Sequence, residues 1–372
     1  MEVSGEFERI ILLSDHASVP LTKEVYKYLK KKEESGKLYG KLHEFNPDDL
    51  YLNRFNNGEA EVALKTEVRG RHIFVVKSFN TIQRRFPYNY KTDEWEERPK
   101  LSDCIMDTDK GYIELFTINN ALKISSASSI TNILMFMPYL RSDKKESSGV
   151  PITSKLMADL TDESGASRVI TIYPHFQQVQ GFYKAQIDIL TSRVLFADWL
   201  LANYKREEII PIATDANSAH AVEKLAKDLN VNFGIAHKSR SSPGSVKETR
   251  ILCDESLEDK IVVIYDDIID TGGSLFNPAK YAKEQGAREV IACMAHAVLS
   301  CDAKERLLEN NIRLVTTDSI LIPNIENYPN ITVLSTGYLL SEAIGCITSG
   351  TRVHRHLYDF KRFREVKEGN GC

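Results

Sequence analysis

The sequence predicts an α/β protein with mostly parallel central sheets, divided into two domains. Three observations carry that expectation. Short apolar runs rich in β-branched residues, such as Ile261-Val262-Val263-Ile264-Tyr265, alternate with stretches of helical spacing, the pattern of buried strands joined by crossover helices. A chain of 372 residues is long enough for two ordinary cores. Its composition, 42% hydrophobic and 27% charged, is that of a soluble globular protein.

Charge and cysteines narrow the function classes. A formal net charge of -4 gives no reason to expect a nucleic-acid partner, although one pocket can still be basic. No stretch approaches the roughly 18 apolar residues of a membrane span. The start, MEVSGEFERIILLSDH, has acids where a signal peptide has bases. Cys104, Cys253, Cys293, Cys301, Cys346 and Cys372 are scattered without metal-ligand spacing. The expectation is a cytoplasmic protein with free thiols, off the membrane.

In order, Arg9–Ser14 reads as a strand and Val19–Lys32 as a helix with a basic end. An alternating run covers Ala60–Val68, and His72–Val76 is a strand; Asn56-Asn57-Gly58 before them reads as a turn. Residues 81–110 lose any period and are aromatic and charged, and loops of that length are functional or disordered. Two readings stand: a surface hairpin or oligomer contact, or a segment whose Arg84, Arg85, Tyr88, Tyr90 and Trp95 reshape a substrate pocket. Gly111–Lys123 then reads as a helix, Ile130–Met137 as a buried strand, Thr153–Thr161 as a helix and Ser167–Ile172 as a strand.

The second half continues the alternation. Leu190–Asn203 reads as a helix and Ile209–Ala213 as a strand ending in Thr214-Asp215-Ala216-Asn217-Ser218. Val231–Ala236 reads as a strand leading to His237-Lys238-Ser239-Arg240 and a Ser/Pro/Gly loop. After the stretch treated next come a helix over Asn277–Glu284, strands over Glu289–His296 and near Arg313–Thr316 and Thr332–Ser335, and a helix over Tyr338–Ile347. The basic, aromatic tail reads either as a terminal interaction element or as a frayed end.

The most informative stretch is Lys260–Leu275, KIVVIYDDIIDTGGSL. A buried strand, Ile261–Tyr265, runs into Asp266, Asp267 and Asp270, then Thr271-Gly272-Gly273-Ser274, then a helix from about Leu275. Backbone N–H groups at such a helix start, with the helix dipole, form a phosphate cradle, and glycines let the backbone approach the anion. Thr271 and Ser274 add hydroxyl donors. Carboxylates beside a phosphate repel it, so they bind sugar hydroxyls or a magnesium ion instead.

This string resembles the phosphoribosyl-pyrophosphate binding motif, and with its surroundings it is similar to that of ribose-phosphate pyrophosphokinases (PRPP synthetases). The resemblance spans about Arg9 to Ile347, interrupted at 81–110, in four motifs in the family's order. It implies two Rossmann-like, phosphoribosyltransferase-type domains with the site between them: an ATP-side domain, 1–186, and a ribose-phosphate domain, 187–347, followed by a tail, 348–372. RFNNGE implies that Phe55 stacks near adenine with Asn57 and Glu59 nearby. PYLRSDKK resembles the family's PYxRQDRK, giving Arg141 and Asp143 to ATP, with Ser142 in place of Gln. HxxQxQGF implies that His175 ligates Mg2+, with Tyr173 where the family has Asp, and Asp215 matches the acid of a PDxGG loop that binds pyrophosphate and metal. Asn217 and Ser218 replace its glycines, and Asn tolerates positive φ. Lys238 and Arg240 match the cations of a catalytic flap. Asp266, Asp267, Asp270, Thr271, Gly272, Gly273 and Ser274 then hold the ribose phosphate.

The activity so implied is diphosphoryl transfer from ATP to the anomeric hydroxyl of ribose 5-phosphate in a homo-oligomer. Two alternatives accompany it: the same transfer to ADP-ribose, as in relatives that rebuild NAD, and a non-catalytic PRPP-synthetase-associated subunit, against which the retained His175, Lys238 and Arg240 argue. A phosphoribosyltransferase shares the loop but needs no ATP-side motifs.

Overall fold

The computed structural model describes residues 9–145, 147–239, 248–353 and 357–367, the side chains of 238, 239 and 248 excepted. The chain divides into two compact units. The first comprises Met1–Leu190 with Ser319–Pro323 and Ser335–His354, the second Thr191–Asp318 with Asn324–Leu334 and Arg355–Cys372.

In the first unit, β1 (Arg9–Ser14) is buried along almost its whole length and leads into α1 (Val19–Glu34). Pro20 suits the first turn, where an N–H has no helical partner, and Leu21, Val25 and Leu29 form the buried stripe. Next come β2 (Lys41–Leu42), the hairpin β3 (Leu50–Arg54) and β4 (Ala60–Leu64), and β5 (His72–Val76). Residues 81–110 are not an irregular loop. β6 (Asn80–Ile82) pairs antiparallel with β9 (Cys104–Met106), and β7 (Tyr88–Asn89) with β8 (Glu94–Trp95). Strands of two and three residues are too short to show a period, which is why the sequence looked patternless.

Asp107 accepts from the Lys110 N–H and starts α2 (Thr108–Ile124) earlier than the apolar spacing suggested. β10 (Ser129–Ile133) is shorter than expected. Leu134, Met135 and Met137 continue the buried run beyond it, with the Leu134 N–H and the Met135 carbonyl still bonded to β11. α3 (Thr153–Ser164), β11 (Arg168–Ile172) and β12 (Gln186–Leu190) complete the unit. Its sheet runs β12-β11-β10-β5-β1-β2, all parallel. The later helix Gly337–Thr348 packs on α1, with Lys32 paired to Glu342 at 2.7 Å and Tyr28 edge-on to Tyr338.

The second unit repeats the plan. It contains α4 (Arg193–Asn203), β13 (Ile209–Ala213), α5 (Ala219–Leu229), β14 (Gly234–Ser239), β15 (Glu248–Leu252), β16 (Ile261–Ile269), α6 (Gly273–Glu284), β17 (Glu289–Ala297), α7 (Ala303–Glu309), β18 (Arg313–Thr317) and β19 (Ile331–Leu334). The order is β15-β14-β13-β16-β17-β18-β19, parallel except for the edge pair β14–β15. Without β15, both sheets have one topology: the first strand is next to the edge, with the second outside it and the remaining four on its other side. The duplication expected from resemblance is thus visible in topology, though no residue repeat reveals it. The tail contributes a helix, Phe360–Lys367, with Phe360 and Phe363 buried and Lys367 paired to Asp198 of α4 at 2.6 Å. That part of the tail is packed structure, not a frayed end.

Candidate functional site

In an open parallel sheet, ligands bind beyond the carboxyl ends of the strands where the strand order reverses. In the second unit that point lies between β13 and β16. The acid–glycine stretch and the Thr214–Ser218 loop both leave from there.

β16 is longer than the apolar run suggested. Because β17 is equally long, pairing continues through Asp266↔Met294 to Ile269↔Ala297, so Asp266 and Asp267 lie within the strand rather than after it. Thr214 donates its hydroxyl to Asp266 Oδ2 at 2.6 Å, and the Asp267 N–H donates to Asp266 Oδ1 at 2.9 Å. Burial, reinforced by the Asp267 charge, pushes the Asp266 carboxyl up to about 7. Asp267 and Asp270 are half-buried at the same strand end.

The glycines that follow have different tasks. Gly272 adopts φ 76°, and a Cβ there would stand 2.3 Å from Phe276 Cε2, so the fold itself requires glycine. Gly273 has ordinary φ and nothing closer to a Cβ than Thr271 Oγ1 at 4.0 Å. The fold leaves that space open, as a backbone approached by a ligand requires. α6 begins at Gly273, two residues before the expected start, since the Leu275 and Phe276 N–H groups already bond the Gly272 carbonyl at 3.0 and 3.1 Å. The N–H groups of Gly273 and Ser274 belong to the first turn, where a helix supplies no acceptor. Arg306 of α7 supports the loop: its guanidinium lies 4.0 Å from the Phe276 ring centre and donates to the Thr271 carbonyl at 3.3 Å.

On the β13 side, Asp215 is exposed, and its Oδ1 accepts from the Asn217 and Ser218 N–H groups at 2.9 and 3.0 Å. The Ser218 hydroxyl lies 3.3 Å from Thr214 Oγ1 and returns a bond to the Asp215 carbonyl. Neither Asn217 nor Ser218 has positive φ, so the loop closes by side-chain bonds where the resembling family has glycines. Lys238 lies at the end of β14, with its side chain outside the described residues; Arg240 lies wholly outside them.

In the first unit, the β3–β4 turn presents Phe55, 46% exposed, with Asn57 and Glu59 exposed beside it. The Phe55 N–H bonds the Glu59 carbonyl at 2.9 Å, and the Glu59 N–H bonds Asn57 Oδ1 at 3.2 Å. Beneath the turn, buried Arg54 donates to the Gly58 carbonyl at 3.2 Å and pairs with buried Glu114. Glu114 also pairs with Lys77 at 3.0 Å, and Lys77 with Asp15 at 2.8 Å. Burial alone lowers the Lys77 pKa, but Asp15 and Glu114 outweigh it, and the net direction is up. Burial lowers the pKa of neighbouring His16.

Arg141 is exposed and Asp143 half-buried in the loop after β10, and His175 is exposed after β11. Two bulky residues beside them have positive φ, Tyr139 at 66° and Tyr173 at 41°. Such conformations persist where surroundings over-determine them, often at functional loops. Ser142 is spent on structure: its hydroxyl accepts from the Thr153 N–H at 3.3 Å and its carbonyl takes the Ser154 hydroxyl at 2.8 Å, tying the loop to the start of α3.

Comparison with known proteins decides the family. The profile for the N-terminal domain of ribose phosphate pyrophosphokinase matches residues 10–165, and that for the phosphoribosyl transferase domain matches residues 192–327. The ribose-phosphate pyrophosphokinase of Campylobacter jejuni is 34% identical over 297 residues, 80% of this chain and 86% of its own. That of Fusobacterium nucleatum is 31% identical over 349 residues, 93% of this chain and 98% of its own. The crystal structure of phosphoribosylpyrophosphate synthetase from Mycobacterium smegmatis matches with TM-score 0.75 at 27% identity, covering 92% of this chain and all of that one. The chain belongs to the ribose-phosphate pyrophosphokinase family.

Some residues of this site lie beyond reading from the sequence. A threonine ending a buried strand, as Thr214 does, carries no sign of its bond to Asp266, 52 residues on. Arg306 sits in an ordinary charged helix 35 residues from Thr271. Arg54 and Glu114 meet across 60 residues. One signal was available for Arg54: a charged residue ending a strand buried throughout, LYLNR, must find a partner inside.

Proposed function

We propose that this chain transfers the β,γ-diphosphoryl group of ATP to the anomeric hydroxyl of ribose 5-phosphate, forming PRPP and AMP. The observation that carries this is the strand–acid–glycine–helix corner at the switch point of the second unit, with the space over Gly273 left open. An open, small-residue corner with first-turn N–H donors and two hydroxyls suits a phosphate monoester. Thr271, Gly272, Gly273 and Ser274 hold the 5-phosphate, while Asp266, Asp267 and Asp270 take the ribose hydroxyls. With its pKa near neutrality, Asp266 can hold a proton and donate as well as accept.

The nucleotide side is assigned to residues 1–186, with adenine on Phe55 beside Asn57 and Glu59 and with Arg141 and Asp143 toward the phosphates; residues 187–347 take the acceptor. The anomeric oxygen attacks the β-phosphorus, its proton passes to water, and the bond between the β-phosphorus and the oxygen bridging to the α-phosphate breaks to release AMP. Negative charge spreads over many oxygens in such a transfer, so positioning and fixed cations do most of the catalysis. Lys238 and Arg240 supply those cations in this reading.

Among the described residues no group of three or more His, Cys, Asp or Glu forms a metal cluster. Mg2+ takes one or two protein ligands and completes its shell with phosphate oxygens and water. Asp215, exposed with one oxygen fixed by backbone N–H groups, and His175, exposed at a strand end, are the metal-binding candidates of their respective units. Once bound, the ion neutralises charge on the nucleotide phosphates. A homo-oligomer and a cytoplasmic setting belong to the same reading, the latter supported by the free thiols of Cys104, Cys253, Cys293 and Cys301. No helix among the described residues is long and apolar enough to cross a membrane.

The test is incubation with ATP, Mg2+ and ribose 5-phosphate, scoring AMP against PRPP. One-to-one formation is expected; no AMP above background overturns the assignment. ADP-ribose in competition shows whether the acceptor carries a larger group.

A further inference from the structure

The segment 81–110 is bolted to the end of β3 rather than draped over it. The side chain of Asn53, fully buried, donates to the Phe86 carbonyl and accepts from the Phe86 N–H, both at 3.0 Å. Arg54 Nε donates to the Ile82 carbonyl at 3.3 Å. Tyr51, Tyr88 and Trp95 pack together as tilted and edge-on rings with centres 4.5 to 5.3 Å apart. Asn53 and Arg54 are the two residues immediately before Phe55, so this fastening fixes the backbone on either side of Arg85 against the root of the nucleotide turn.

The side chain of Arg85 follows from that placement. It is half-buried, donating from Nη1 to Asn56 Oδ1 at 3.3 Å and from Nη2 to the Tyr90 hydroxyl at 3.0 Å. Tyr90 in turn donates to Glu61 of β4 at 2.7 Å. The guanidinium is therefore oriented at the flank of the turn before any ligand arrives, and these contacts with described residues use two of its five N–H donors. Its neighbour Arg84 is turned elsewhere, with its guanidinium 4.2 Å from the Phe86 ring centre and paired with Glu97.

We propose that Arg85, supplied by this inserted hairpin, is a binding residue for the phosphate oxygens of the nucleotide held on the Phe55 turn. An all-donor planar fork matches phosphate. It does not match the adenine edge, which pairs a donor at N6 with an acceptor at N7 and suits an amide side chain such as Asn57. The proposal rests on the reading of residues 55–59 as the nucleotide turn, and the experiment separates the two.

Four variants are compared with the full chain: Arg85→Gln, Arg85→Lys, Arg84→Gln and Phe55→Ala. Steady-state kinetics gives KM for ATP and for ribose 5-phosphate, and calorimetric titration gives the affinities for ATP and for adenosine. Arg85→Gln is expected to raise KM for ATP about tenfold, the size of one charge-assisted bond. The KM for ribose 5-phosphate, adenosine affinity and melting temperature stay unchanged; Arg85→Lys recovers part of the loss, and Arg84→Gln shows none. If Phe55→Ala raises KM for ATP while Arg85→Gln leaves it within twofold of wild type, the role of Arg85 is overturned and the turn stands. Equal loss of adenosine and ATP binding in Arg85→Gln overturns the phosphate contact. An unchanged KM for ATP in Phe55→Ala overturns the turn, and the proposal with it.

Discussion

The two glycines of the proposed phosphate corner offer a sharp test, because the fold needs one and leaves the other free. In Gly272→Ala the new methyl would meet Phe276 carbons at 2.3, 2.9 and 3.1 Å, at a backbone φ of 76°. Holding an L-residue there costs about 1–2 kcal/mol, and relieving the overlap a further 1–3 kcal/mol or so. The ring cannot swing away cheaply, since it is buried and the Arg306 guanidinium lies against it. A loss of about 2–5 kcal/mol follows, read as a lower denaturant midpoint.

Gly273→Ala should behave oppositely. Its methyl meets nothing nearer than 4.0 Å and sits at the first helical position, so stability should change by roughly 0.5 kcal/mol or less, in the direction that favours alanine. The same methyl occupies the space through which, in the proposed function, a phosphate would reach the first-turn N–H groups. Losing one or two such charge-assisted bonds is worth about 1.5–3 kcal/mol, a rise of roughly tenfold to a hundredfold in KM for ribose 5-phosphate. Kinetics paired with urea titration of both variants reads the two effects separately. A Gly273→Ala protein with wild-type KM would refute the reasoning, because the open space would then serve no ligand.

Three further outcomes follow from the same geometry. Asp266 is raised from the ordinary carboxylate value to about 7, so the folded state binds the extra proton; stability should fall as pH rises from about 4 to 7, and Asp266→Asn should flatten that slope in chemical melts at several pH values. Arg306→Gln should raise KM for ribose 5-phosphate several-fold with KM for ATP unchanged, through loosened contacts to Thr271 and Phe276, whereas an unchanged value would reduce Arg306 to a surface residue. Glu114→Gln should lower stability by about 3–5 kcal/mol, since Arg54 and Lys77 are both buried and would lose a shared counter-charge; a calorimetric melt within a degree or two of wild type would argue against that network.

How much of this was legible in the sequence depended on whether a signal was local. Ile209–Ala213 and the core of β16 were readable because a central parallel strand is apolar on both faces. Where β16 ends was not, because its last four residues are held by pairing to β17 rather than by their own hydrophobicity. β12 escaped notice as an edge strand, QIDIL, which mixes polar and apolar residues. α5 was a different kind of miss: Val222, Leu225, Ala226 and Leu229 carry a clear helical stripe that went unread. The phosphate corner could be read as a string because strand, acids, glycines and helix are consecutive. The groups that hold it in shape, Thr214 and Arg306, reach it only through the fold.

The two units make opposite use of one topology. In each, the order reverses at the first strand, between the second strand on one side and the third on the other, so each sheet offers the same crevice at its carboxyl edge. Between β13 and β16 that crevice is lined by hydroxyls, exposed carboxylate and open glycine, all apt for a polar ligand. Between β1 and β5 the corresponding place is filled from within. Asp15 at the end of β1 binds both the Lys77 ammonium and the Ser78 N–H, and Glu114 joins Lys77 to Arg54. These side chains are almost wholly buried and satisfy one another, leaving a ligand few open partners there. Fold analogy alone would seat a nucleotide in that crevice. With that crevice filled by ion pairs, the groups left open to a ligand lie further out, on the β3–β4 turn that Arg54 supports from below and on the strained loops after β10 and β11, where Arg141, Asp143 and His175 stand.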